Sequence, residues 1–183
     1  FIFFVFSLWK YSKEYKASFL IGNLQIAFLA ALSIIALALF DLIPVGIKNE
    51  NGSKIIFYII LFYAGFSFVT TLIREIIKDL EDIEGDKKIN ANTLAINYGV
   101  TKTKKIIALL ILIPIFGIAY VQYFQYNNLS VSGSAWWENF ITALYTFFLQ
   151  ILLIILIIRI IKSSSKSDFH FSSTLCKIIM LVG

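Results

Sequence analysis

A row of carboxylates follows one of the apolar segments of this 183-residue chain. Asp79, Asp82 and Asp86 form a DxxDxxxD pattern, and Glu75 precedes them by one helical turn. Because steps of three and four residues stay on one face of a helix, these side chains are predicted to line up. Stacked carboxylates repel one another, and a divalent cation would remove that cost. Since oxygen-rich sites suit Mg²⁺ or Ca²⁺, the spacing predicts a metal site.

Lysines flank this acid row on two segments of the chain. Lys87 and Lys88 follow it directly, and Lys10, Lys13 and Lys16 lie on a neighbouring segment. Acids beside lysines at a membrane surface suit a Mg²⁺-bound phosphate or diphosphate, because the metal bridges carboxylates to phosphate oxygens and the lysines neutralise the remaining charge. We therefore predict that Lys16, together with Lys87 or Lys88, contacts a diphosphate.

The same residues also have simpler explanations. The acid row could be a solvated helix end without metal, in which Lys78 pairs with Asp82 at the i, i+4 spacing. The basic residues could serve only to orient the chain in a membrane. His170 is interpreted as a surface residue in a terminal loop, and the serine-rich stretch 163–167 as a linker.

The elements that must position these residues are membrane spans. Hydrophobic residues make up 59% of the chain, and its mean hydropathy is +0.84. A span needs about 20 apolar residues. We predict an all-α, polytopic transmembrane bundle in a lipid bilayer, forming one domain over residues 1–183. Its four complete spans are predicted at residues 19–40, 55–77, 106–124 and 140–161.

Two shorter apolar segments, 1–9 and 175–183, are predicted to be partial spans. Together with the missing initiator Met, they lead us to expect a fragment that is truncated inside a helix at both ends. The connection from Lys78 to Lys105, about 28 residues, is predicted to be a long, ordered polar loop. Such loops on a membrane scaffold are frequent places for function.

The positive residues indicate an orientation. Segments 10–16, 78–105 and 162–166 are rich in Lys, whereas 41–54 and 125–139 are poor in it. The basic segments are therefore predicted to be cytoplasmic, in an inner or plasma membrane. This bias explains the net charge of +5. Nucleic acid is not a predicted partner, because no basic stripe is interleaved with base-stacking aromatic residues.

Two stretches resemble a known family. Residues 74–88, reading REIIKDLEDIEGDKK, are followed by Thr93-Leu94 and Gly99, and they resemble the second aspartate-rich motif of the UbiA superfamily of intramembrane prenyltransferases. Upstream, the YSKEYK stretch at residues 11–16 and Gly22-Asn23 are similar to a second family stretch, with Tyr15 where Leu is common. The resemblance in hydropathy covers essentially the whole chain.

The resemblance implies nine transmembrane helices around a central cavity and two Asp-rich motifs that bind Mg²⁺ and the diphosphate of an isoprenyl donor. The first motif, of NDxxDxxxD type, does not occur in this sequence. We expect it upstream, so the chain alone would be inactive. The resemblance implies metal-binding and catalytic roles for Asp79, Asp82 and Asp86. It also places the substrate near a larger set of residues: Tyr11, Lys16, Asn23, Arg74, Lys78, Lys87 and Lys88.

The chemistry implied is loss of diphosphate to form an allylic cation, which an acceptor attacks. Metal and lysines stabilise the leaving group, aromatic faces can stabilise the cation, and a dry cavity excludes water. Tyr11 and Tyr63 are candidates for the aromatic role.

The sequence of the acidic motif is most similar to that of the branch that alkylates a glycerol-phosphate lipid, the geranylgeranylglyceryl phosphate geranylgeranyltransferase type. Basic residues along the same connection would supply cations beyond those needed for one diphosphate, although membrane orientation explains them equally well: Lys87, Lys88, Lys102, Lys104 and Lys105. One alternative acceptor is an aromatic quinone precursor, such as 4-hydroxybenzoate or a dihydroxynaphthoate. Alternatives of another class are a divalent-cation transporter and a structural membrane subunit. No ionisable residue lies mid-span, which disfavours the transporter.

Overall fold

A computed structural model describes residues 2–11, 18–46, 50–129 and 136–183 of the chain. Within these ranges the secondary structure is entirely helical, as the sequence predicted. The seven helices are α1 (Ile2–Lys10), α2 (Ile21–Gly46), α3 (Glu50–Glu81), α4 (Ile83–Lys88), α5 (Leu94–Leu129), α6 (Trp136–Lys162) and α7 (Lys166–Val182).

Four of these helices are long and apolar enough to cross a bilayer. Each overlaps one of the four segments predicted to be complete spans. The all-α transmembrane prediction is therefore confirmed, and the chain is an integral membrane protein. The candidate spans are Ile21–Phe40, Ile56–Glu81, Leu94–Asn127 and Phe140–Lys162.

The connection predicted to be a long loop, Lys78 to Lys105, is instead mostly helical. Helix α3 continues to Glu81, α4 follows, and α5 begins at Leu94. Within this connection, which the structure describes in full, only Asp82 and residues 89–93 lie outside helices. The prediction failed because hydropathy marks the apolar part of a helix, whereas the helix itself can continue with polar residues beyond the membrane.

Helix α3 is the centre of the bundle. It packs against α2, α5 and α7, and α6 packs against α5 and α7. Ile73, Ile76, Ile77 and Leu80 are each at most 2% exposed. Their spacing of three and four residues forms one buried stripe along α3. Asp79 lies outside this stripe, so burial of the apolar face fixes the direction in which the acidic end of α3 points.

The start of α5 is bent at Gly99. This residue has φ 75° and ψ 163°, a region that is essentially restricted to glycine. The buried hydroxyl of Thr103 donates a hydrogen bond of 2.9 Å to the Gly99 carbonyl. The first turn of α5 thereby brings the Tyr98 ring to 5.9 Å from that of Phe19, between centroids. The bend therefore places the start of α5 beside the start of α2.

Polar contacts inside the apolar region join α5 to α6. The Gln122 side-chain amide donates to the Thr146 hydroxyl at 2.8 Å, and the Gln150 amide donates to the Gln122 carbonyl oxygen at 3.3 Å. Interhelical hydrogen bonds of this kind are worth about 0.6 kcal/mol each on average in membrane proteins. Together they help to fix the register of α5 against α6.

Candidate functional site

The acid row lies on a bend between two helices. Asp82 has φ −108° and ψ 22° and separates α3 from α4. Backbone hydrogen bonds continue across the bend: the Asp82 amide donates to the Lys78 carbonyl at 2.9 Å, and the Asp86 amide donates to the Asp82 carbonyl at 3.0 Å. The predicted single straight helical face is therefore divided at Asp82, while the helical spacing is retained on either side.

Asp79 meets residues from two other parts of the chain. The Asn23 side-chain amide donates a 2.7 Å hydrogen bond to Asp79 Oδ2, which joins α2 to α3. The carboxylates of Glu75 and Asp86 interact electrostatically with Asp79. Burial raises the pKa of the Tyr11 hydroxyl, and the negative charges of Glu75 and Asp79 raise it further. The structure therefore joins Asn23 to the acid row by a hydrogen bond and places Tyr11 within electrostatic range of Glu75 and Asp79.

Glu75 is a buried carboxylate that pairs with two cations. Its Oε1 lies 2.6 Å from Arg74 Nη1, and its Oε2 lies 3.0 Å from Lys78 Nζ. The Glu75 side chain is 8% exposed, whereas that of Lys78 is 47% exposed. Lys78 thus pairs with Glu75 instead of Asp82. Glu75 is committed to Arg74 and Lys78, so it is better placed to hold these two cations than to bind a metal.

The Asp82 carboxylate lies over Gly85. A Cβ atom built on Gly85 would stand 2.7 Å from Asp82 Oδ1 and 3.0 Å from its Cγ. Such distances are shorter than non-bonded contacts allow, so the carboxylate occupies space that only glycine leaves open. Lys87 and Lys88, in the last turn of α4, are both exposed. Their ammonium groups are therefore available at the surface that carries the acid row.

Oxygen ligands for Mg²⁺ are present at this bend, but not as a complete set. Among the residues that the structure describes, no three His, Cys, Asp or Glu side chains are close enough together to hold a metal ion. Mg²⁺ is usually held by one or two carboxylates plus substrate phosphates and water, not by an all-protein cage. The donor chemistry of Asp79, Asp82 and Asp86 therefore fits Mg²⁺ that is shared with a phosphate-bearing ligand.

Two candidates from the sequence are not placed at this bend. Lys16 lies outside the described residues. Tyr63 precedes Asp79 by sixteen residues on α3, which corresponds to about 24 Å along the helix axis. Tyr63 instead lines an apolar groove of about 680 Å³ with residues of α5 and α6. Of the two aromatic candidates, the structure brings Tyr11 to the acids and leaves Tyr63 remote.

The connection from Lys78 to Lys105 offers fewer lysines for binding phosphate than the sequence suggested. Lys104 donates to the carbonyl oxygen of Ser163, at the end of α6, and its ammonium lies 5.9 Å from the centre of the Phe169 ring. Lys102 and Lys105 are exposed. Lys104 therefore ties α5 to the α6–α7 loop, which is a structural role.

Sequence reasoning missed the part of α7 that reaches the acid row. His170 lies on this helix, not in a terminal loop, and its Nδ1 is 2.8 Å from Glu81 Oε1. Lys166 Nζ is 3.8 Å from Asp82 Oδ1. A signal was present in the serine-rich stretch: Ser165 and Asp168 form a capping box, which marks the start of a helix. Nothing in the sequence indicated which residues the helix would contact.

Comparison with known proteins gives a consistent result. A profile described as the UbiA prenyltransferase family matches residues 1–178. Curated relatives named digeranylgeranylglyceryl phosphate synthase include one from Methanosphaera stadtmanae, 32% identical over 94% of this chain and 54% of the relative. Another, from Sulfurisphaera tokodaii, is 32% identical over 89% of this chain and 51% of the relative. No solved structure matches the chain. The chain spans about half the length of these curated relatives.

Proposed function

Because this chain belongs to the UbiA prenyltransferase family, we propose that its protein transfers an isoprenyl group from an allylic prenyl diphosphate to an acceptor within the membrane. The family resemblance drawn from the acid row is confirmed by the profile match. The observation that supports this activity most is the convergence of Tyr11, Asn23 and Asp79 at the end of a transmembrane helix. Polar groups suited to binding the diphosphate therefore lie next to an apolar helical bundle suited to holding the isoprenyl tail.

The proposed donor site uses the acids and the surrounding cations together. Asp79, Asp82 and Asp86 would hold Mg²⁺ against the diphosphate, and when bound the metal would neutralise the negative charge that develops on the leaving group. Lys87 and Lys88 would contact the diphosphate oxygens, joined by Lys16. The Tyr11 hydroxyl is protonated at neutral pH, as tyrosine ordinarily is, and its raised pKa keeps it so. It can therefore donate a hydrogen bond to phosphate.

The proposed acceptor is a glycerol-phosphate lipid. The names of the curated relatives support this acceptor, as does the motif wording over residues 74–88. Arg74 and Lys78 are held on either side of the Glu75 carboxylate, and we assign them to the acceptor phosphate. With Lys104 engaged elsewhere, the connection supplies fewer spare cations than the sequence suggested, so Arg74 and Lys78 become more important for this role.

A competition assay tests the acceptor. The natural full-length protein would be supplied with geranylgeranyl diphosphate, Mg²⁺ and equimolar geranylgeranylglyceryl phosphate, 4-hydroxybenzoate and dihydroxynaphthoate. We expect prenylated glycerol-phosphate lipid as the main product. Exclusive prenylation of an aromatic ring would refute the lipid acceptor and retain the transfer mechanism. Divalent-cation transport without any prenyl transfer would refute both and favour the transporter.

We further propose that the acid row faces the cytoplasm. The basic residues of segments 10–16, 78–105 and 162–166 support this orientation. Single cysteines at Ser164 and Asn51 would test it with a membrane-impermeant thiol reagent. Cys176, the one cysteine of this sequence, is buried. We expect external reagent to label the Asn51→Cys variant and not the Ser164→Cys variant. The reverse pattern would place the acid row on the outer side.

A further inference from the structure

Helix α7 contacts the acid-row bend with two of its side chains. His170 Nδ1 and Glu81 Oε1 are 2.8 Å apart, although 89 residues separate them in the chain. The Glu81 side chain is 21% exposed and that of His170 is 67% exposed. Because an ionised carboxylate can only accept, the imidazole donates through Nδ1. Glu81 is the last residue of α3, so this hydrogen bond holds the helix at the point where it bends.

A second contact comes from the same face of α7. Lys166, one turn before His170, has its Nζ 3.8 Å from Asp82 Oδ1. Both side chains are more than 60% exposed, and exposed pairs of this kind contribute little stability. This contact matters because of its position. Lys166 and His170 lie one turn apart on α7, and they reach Asp82 and Glu81, two successive residues of the bend.

The start of α7 is itself fixed. The Ser165 hydroxyl accepts from the Asp168 amide at 3.2 Å, and Asp168 Oδ2 accepts from the Ser164 and Ser165 amides. These backbone donors lower the pKa of Asp168 to about 2, so the cap stays charged at neutral pH. Farther along, the Cys176 thiol contacts the Thr70 carbonyl of α3 at 3.6 Å. The helix is therefore anchored before and after His170.

We propose that α7 is a positioning element for the donor site, in which His170 holds Glu81 so that the bend presents Asp79, Asp82 and Asp86 to one ligand. This role rests on the proposed prenyltransferase function. His170 acts through Glu81 and does not contact the substrate. Groups that hydrogen-bond directly to metal ligands typically alter metal affinity or activity by about 10- to 100-fold when they are removed. His170 acts one residue farther away, through Glu81, so we expect an effect at the lower end of this range.

The test is a Mg²⁺ titration of the full-length protein in the presence of geranylgeranyl diphosphate, followed by calorimetry without acceptor and by prenyl transfer with acceptor. His170→Leu removes the donor, whereas His170→Asn keeps a donor near the position of Nδ1. Thr174→Ala, an exposed change one turn later on α7, is the matched control. We expect His170→Leu to raise the Mg²⁺ concentration for half-saturation by about tenfold. His170→Asn and Thr174→Ala should stay near the wild-type value.

An unchanged half-saturation in His170→Leu would overturn the positioning role. So would an equal loss of activity in His170→Leu and His170→Asn without any change in metal affinity, because that result describes general destabilisation. A wild-type protein that binds Mg²⁺ and transfers no prenyl group would refute the proposed function. In that case the calorimetric comparison of the variants still decides whether His170 positions the acids.

Discussion

Replacing Asp79, Asp82 or Asp86 singly with Asn is expected to lower prenyl transfer by at least about 100-fold, the scale found when one group stabilising a developing charge is lost. Each change removes a negative charge at nearly constant volume. Folding should tolerate it, because Asp82 is exposed and because Asp79 is repelled by Glu75 and Asp86 in the absence of a cation. Turnover by the purified full-length variants, measured across a range of Mg²⁺ concentrations, checks this expectation.

Glu84→Gln provides the matched control for these three changes. Glu84 lies on α4 between Asp82 and Asp86, is exposed, and is not part of the DxxDxxxD pattern. Its neutralisation removes one negative charge from α4, the helix that also carries Asp86. We therefore expect nearly normal turnover. If Glu84→Gln lost as much activity as the Asp variants, the overall acidity of the segment would matter and the specific row would not. Normal turnover in the triple Asp variant would exclude the row from the reaction.

Gly85→Ala is expected to separate stability from activity. Gly85 lies inside α4 without a positive φ, and Ala favours a helix over Gly by up to about 1 kcal/mol. The new methyl group would nevertheless displace the Asp82 carboxylate, which is 2.7 Å from the position of the added Cβ. Misplacing a reacting group by about 1 Å can cost about 100-fold in rate. We therefore expect a large loss of turnover in a protein that is at least as stable as wild type.

Gly65→Ala is the control for this substitution. Gly65 lies on α3, and a Cβ built there meets no atom within 4 Å. Turnover and thermal unfolding of both variants would be measured in the same detergent. Equal activity of Gly85→Ala and Gly65→Ala would show that the position of the Asp82 carboxylate does not matter. Unfolding of Gly85→Ala at a lower temperature would show instead that Gly85 has a structural role.

Much of the architecture could be predicted from the sequence. The four apolar spans are long enough that few other interpretations remain, and each of them is a helix in the structure. The acid row could be recognised by its spacing alone, because a helix converts steps of three and four into proximity. Tyr11 and Asn23 reached the list of candidates through the family resemblance. Their separation from Asp79 in sequence gave no physical reason to expect the 2.7 Å contact of Asn23.

Other features could not be predicted because they depend on packing between helices. Lys78 has two acidic neighbours at helical spacing, Glu75 and Asp82, and the sequence does not determine which of them it will pair with. The burial of Glu75 favours the first pairing. Likewise, the contact of His170 with Glu81 arises because α7 packs along α3. Hydropathy marked only residues 175–183, the second half of α7, as a partial span. It gave no indication that the first half is helical or that His170 would reach the acid row.

We propose above all that the bend after α3 holds a prenyl diphosphate together with Mg²⁺. The most direct measurement is equilibrium binding of geranylgeranyl diphosphate to the full-length protein, with Mg²⁺ or with EDTA, for the wild type, Asp79→Asn and Glu84→Gln. We expect tight binding that requires Mg²⁺ in the wild type and in Glu84→Gln, and that is lost in Asp79→Asn. Binding that is equally tight in EDTA, or unaffected by Asp79→Asn, would contradict the claim.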